Sequence, residues 1–89
     1  MVVGKTTIVN PTGIHARPAT MLASICMNCE SRVEIKVGQN IINPKDMLAM
    51  LARQVKCGTE IEVLCDGETE VEDLKKIIDF IASGMGEEA

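Results

Sequence analysis

The chain has 89 residues, 46% hydrophobic and 25% charged, with three Pro and one aromatic residue, Phe80; this is enough chain for one domain, with a globular rather than a disordered or collagen-like composition. The net charge of -4 at pH 7 disfavours nucleic-acid binding, and one aromatic ring leaves nothing for bases to stack on. No apolar run approaches the ~18 residues of a membrane span, and Met1-Val2-Val3-Gly4-Lys5-Thr6 lacks the pattern of a secretion signal, so a single cytoplasmic domain over residues 1–89 is expected, without membrane insertion.

Val2 to Val9, rich in Val, Thr and Ile, predicts a strand that stops at Asn10-Pro11-Thr12-Gly13. From Ala16 the pattern turns helical: Pro18 suits a first turn, Ala19, Leu22, Ala23 and Cys26 recur at i, i+3, i+4, i+7, and Asn28 can end the helix in a left-handed conformation. Arg32 to Val37 alternates polar and apolar residues, as in a strand with one wet and one buried face. Gly38-Gln39-Asn40 turns into a short strand, Ile41-Ile42, and Asn43-Pro44 opens a second helix through about Gln54 with Met47, Leu48, Leu51 and Val55 along one side. Glu60 to Cys65 alternates again, and Asp66-Gly67 is a turn. Thr69 with Glu72 reads as a capping box, before a third helix to about Ser83 whose inner face is Val71, Leu74, Ile78 and Ile81. The order β-α-β-β-α-β-α predicts an α+β open-faced sandwich, a four-stranded antiparallel sheet covered on one face by three helices.

Charge is unevenly spread. Residues 1–59 hold seven Lys or Arg against three acids, and residues 60–89 two Lys against ten acids. A partner drawn to the first part is therefore acidic or phosphorylated.

The only histidine, His15, stands immediately before the first predicted helix. Unpaired N–H groups of a first helical turn and the positive end of the dipole hold phosphate and disfavour imidazolium, and a neutral imidazole is a nucleophile. Arg17 adds a planar cation that matches phosphate oxygens. Position alone also fits a solvent-exposed histidine without a role.

Gly13-Ile14-His15-Ala16-Arg17-Pro18-Ala19, preceded by Asn10-Pro11, resembles the active-site signature of HPr, the histidine-containing phosphocarrier of the bacterial sugar phosphotransferase system. The likeness runs through the whole chain, including Gly58-Thr59 and Asp66-Gly67-Glu68. It implies that His15 accepts a phosphoryl group from phosphorylated enzyme I on Nδ1 and passes it to IIA domains of sugar permeases. The chain would then be a phosphoryl-transfer intermediate, not a stand-alone catalyst, with no cofactor. Arg17 would stabilise the phosphohistidine, with Ala16 and Arg17 holding phosphate at the helix start. Thr20, Ser24, Met47, Leu48 and Leu51 match the family's partner-docking surface, although Leu51 fits a core position equally well. The resemblance implies a monomer without nucleic-acid partners. A regulatory relative that binds a transcription factor or an enzyme is the alternative, which does not need His15 and Arg17.

Two features stand apart from the resemblance. Where Gram-positive members carry a regulatory serine at the start of the second helix, this chain has Asp46, whose carboxylate cannot accept phosphate and whose charge partly imitates it. An acid there also suits the first turn of a helix. Four cysteines raise the possibility of a metal or redox protein, but Cys26-Met27-Asn28-Cys29 falls at a helix end, and Cys57 and Cys65 do not complete a zinc pattern. Cys26 and Cys65 are expected to face inward as structural thiols, and no metal site is expected.

Overall fold

The computed structural model describes residues 1–9, 16–44, 46 and 55–85. In chain order these form β1 (Val2–Thr7), α1 (Ala16–Met27), β2 (Arg32–Val37), β3 (Asn40–Ile42), β4 (Glu60–Asp66) and α2 (Glu70–Ala82). The helix expected from Asn43-Pro44 to about Gln54 falls largely outside the described residues.

The strands form one antiparallel sheet in the order β1-β4-β2-β3. Strand parity decides what the sheet buries. Val33 and Ile35 of β2 and Ile61, Val63 and Cys65 of β4 face inward, and the register sets Val33 beside Cys65 and Ile35 beside Val63. Ala19, Leu22 and Cys26 of α1 and Ile77 and Ile81 of α2 complete this core, giving the expected α+β class with helices on one sheet face. The opposite face is mixed: Val3, Leu64 and Ile41 lie on it beside charged residues, Glu62 pairs in register with Lys5 and Lys36, and the Lys5 Nζ to Glu62 Oε1 distance is 3.9 Å. Such exposed pairs stabilise by at most about 1 kcal/mol.

Two glycines fit these elements together. Gly38, at φ 61°, takes the first position of the two-residue loop closed by Val37 and Asn40, where a side chain would be strained. Gly4 lets β1 lie close under α2, since a Cβ there would meet Ile78 Cδ1 at 3.3 Å and Leu74 Cδ2 at 3.4 Å.

Three local expectations need correction. Asn28 is not left-handed, because Met85 is the only non-glycine residue of positive φ among those described. Instead the Asn28 amide Nδ2 donates to the Ser24 carbonyl at 3.0 Å and ends α1 from the side chain. Thr69 forms no capping box; its hydroxyl donates to Asp73 Oδ2 at 2.7 Å. Val71 is 69% exposed and the buried stripe of α2 runs through Asp73, Ile77 and Ile81, with Leu74 and Ile78 partly buried. A buried Asp73 rotates this stripe away from Val71.

Candidate functional site

α1 starts at Ala16, the residue after His15. Pro18 and Ala19 are buried and fix the first turn against the core, leaving Arg17 exposed. Pro18 has no N–H, so the first turn offers the N–H groups of Ala16 and Arg17 to an anion. No acidic side chain occupies that turn, and Arg17 has no carboxylate partner among the described residues. Among the described residues no acidic side chain therefore compensates the positive end of α1.

The segment before α1 leaves β1 through Ile8 and Val9. Ile8 N–H donates to the Thr59 carbonyl at 2.9 Å, Gly58 N–H donates to the Ile8 carbonyl at 2.7 Å, and Cys57 Sγ lies 3.7 Å from the Val9 carbonyl. Both flanks of residues 10–15 are thus tied to the body of the domain. His15 itself lies outside the described residues, as do Met47, Leu48 and Leu51.

Arg17, Thr20 and Ser24 are exposed on one face of α1, because steps of three and four residues return to nearly the same side of a helix. Asp46 is exposed, and its N–H donates to the Asn43 carbonyl at 2.8 Å in the turn after β3. Met27 follows Ser24 on the same face and is 67% exposed.

A buried polar cluster sits at the other end of α1. The Asp73 carboxylate accepts from Ser31 Oγ at 2.6 Å, from Ser31 N–H at 3.2 Å and from Thr69 Oγ1 at 2.7 Å, tying the start of α2 to the entry of β2. The Ser31 hydroxyl, then the Thr69 hydroxyl, hold the Asp73 carboxyl below the usual carboxylate range against the opposing effect of burial. Burial, with the nearby Cys29 and Asp73, pushes the Cys65 thiol up to about 11, which keeps it protonated and inert. All four cysteines are free, and Cys26 and Cys65 are buried as expected. Among the described residues no group of three or more His, Cys, Asp or Glu side chains is placed to hold a metal ion, and no helix is long and apolar enough to cross a membrane.

The family model for the PTS HPr component phosphorylation site matches residues 2–83. The phosphocarrier protein HPr of Treponema pallidum is 30% identical over 77 residues, 86% of this chain and 88% of that protein. The crystal structure of HPr-C-His from Thermoanaerobacter tengcongensis superposes with a TM-score of 0.92 at 28% identity, covering 100% of both chains. An HPr dimer from the same organism gives 0.75 at 28% identity over 92% of this chain and 94% of that one. With a family match over nearly the whole chain, a relative of 30% identity and the same fold, the chain belongs to the HPr phosphocarriers of the phosphotransferase system.

Proposed function

We propose that the chain accepts a phosphoryl group from phosphorylated enzyme I on His15 and hands it to IIA domains of sugar permeases, working as a cytoplasmic monomer. The observation that carries this reading is the exposed Arg17, without a carboxylate partner among the described residues, in an acid-free first turn immediately after the only histidine of the chain. One imidazole nitrogen uses its lone pair to form the bond to phosphorus as the bond from phosphorus to the donor breaks. The phosphoryl oxygens then lie within reach of the Ala16 and Arg17 N–H groups and the Arg17 fork, which favour the charge that arrives. On transfer to the IIA domain the same bond breaks and neutral His15 returns, so the chain is a carrier and not a catalyst in its own right. Thr20 and Ser24, together with Met47, Leu48 and Leu51, form the docking surface in this reading, and Asp46 stands as a fixed charge at its edge.

Incubation with enzyme I and phosphoenolpyruvate, read by intact mass, tests the reading. One phosphoryl group is expected, lost in acid and kept in alkali, and absent in His15→Ala. Label that persists in His15→Ala, or that survives acid, overturns it.

A further inference from the structure

The cluster around Asp73 stands apart from the helix start used in the proposed transfer, yet it holds two of the four cysteines where four elements meet. Cys29 lies in the corner between α1 and β2, half-buried, and its thiol donates to the Ile25 carbonyl at 3.3 Å. Cys65, near the end of β4, is fully buried, opposite Val33 of β2 and Val2 of β1. Gly67 lets this corner close, since a Cβ there would meet Ser31 Cα at 3.0 Å. Ser31 is in turn the residue whose hydroxyl and N–H bind the Asp73 carboxylate of α2.

The two sulfurs and the carboxylate are mutual neighbours. Cys29 packs against the core cluster that includes Cys65. Its thiol is also within hydrogen-bonding reach of the Asp73 carboxylate, a weaker donor to it after the Ser31 and Thr69 hydroxyls. Burial first, and then Cys29 and Asp73, push the Cys65 thiol up. The other two cysteines are placed differently: Cys26 is fully buried within α1, and Cys57 is exposed with its Sγ 3.7 Å from the Val9 carbonyl, on the flank of residues 10–15. Access then separates the roles of the pair. A half-buried thiol can meet a small oxidant, and a fully buried, protonated one cannot.

We propose that Cys29 and Cys65 are a redox pair, closed to a disulfide by a peroxide, that latches the corner between α1 and β2 to the end of β4. The Cys29 sulfur attacks one oxygen of hydrogen peroxide and the O–O bond breaks, leaving a sulfenic acid and one water. The Cys65 sulfur then attacks the Cys29 sulfur, the S–O bond breaks, and a second water leaves with the Cys65 proton. Two thiols are oxidised by two electrons, and one peroxide is reduced to two waters. Asp73 keeps its Ser31 and Thr69 donors, so the bridge adds to the cluster without dismantling it. Closing the loop between residues 29 and 65 restricts the unfolded chain, and the oxidised protein is harder to unfold than the reduced one.

The test treats the full reduced chain carrying Cys57→Ser, which keeps the exposed thiol out of the count, with hydrogen peroxide. Three thiols should fall to one, with a mass lower by two hydrogens and a peptide pair linking Cys29 to Cys65. The thermal midpoint should rise by roughly 10 °C, and dithiothreitol should reverse the rise. Adding Cys29→Ser, at a half-buried position, should abolish both the bridge and the rise. A bridge between Cys26 and Cys29 overturns the pairing, as does a mass gain of oxygen atoms with no bridge. A Cys29–Cys65 bridge that leaves the midpoint unchanged or lowers it overturns the latch. None of these outcomes depends on phosphoryl transfer, so the phosphocarrier reading stands or falls separately.

Discussion

The two helix starts solve one electrostatic problem in opposite ways. α2 fills its first turn with Glu70, Glu72 and Asp73, so its positive end is neutralised by its own chain. α1 has no acid in its first turn and adds Arg17 instead. Self-neutralisation is what stability alone favours, worth about 0.3–1 kcal/mol for an exposed acid. In the proposed function, a helix start that forgoes this gain and adds a cation serves an anion that arrives from outside.

That contrast can be broken first at α2. Asp73→Asn removes the carboxylate that collects the Ser31 and Thr69 donors, and should lower unfolding free energy by about 1–3 kcal/mol, while phosphoryl acceptance on His15 persists. Because the native carboxyl sits below its ordinary range, its contribution is in place above the unfolded value near 3.9 and is lost as pH falls through the native one. Denaturant midpoints measured at neutral pH and near pH 3 should therefore converge between wild type and Asp73→Asn in acid. A gap that stays constant with pH would mean that the carboxylate is not what holds the cluster.

Transplanting an acid sharpens the comparison from the other side. Ala16→Glu gives α1 the self-neutralised start that α2 has. A gain of about 0.3–1 kcal/mol in stability is expected, with a several-fold slower acceptance from enzyme I that recovers in part at high salt. Acceptance at the wild-type rate would place the phosphate away from the helix start. The smallest effect belongs to Asp46. If its carboxylate lies about 10 Å from a phosphoryl group on His15, the repulsion in water is about 0.4 kcal/mol, so Asp46→Asn should speed acceptance by no more than about twofold, and less at physiological salt. Rates that do not move at any ionic strength would assign Asp46 to the local turn alone.

Much of the fold was legible because strand parity is a local signal. Val33, Ile35, Ile61, Val63 and Cys65 were all placed on the inner face by alternation, and they are buried. α2 was harder, since its inner face is set by a long-range demand. The Asp73 carboxylate must reach Ser31, forty-two residues away in the chain, and this turns Ile77 inward and Val71 out. The same demand claims the Thr69 hydroxyl, which defeats the capping box that Thr69 and Glu72 spell. Strand order is equally non-local, since nothing within β1 says that β4 will pair with it. At the site, Thr20 and Ser24 came from the family resemblance and not from spacing, and the helix shows them exposed on the same face as Arg17.

The pairing of β1 with β4 also sets the order in which this chain can fold. Val2 meets Cys65 and Thr7 meets Glu60, and Gly4 packs under Leu74 and Ile78 of the last helix. On a ribosome adding about 5–20 residues per second, the first strand emerges early and then waits for β4, its one strand neighbour among the described residues. The hairpin of β2 and β3, joined by two residues, can close long before. Contacts between such distant parts of a chain are the slow ones to form, so the first turn of α1 becomes part of a closed domain only after nearly the whole chain has been made.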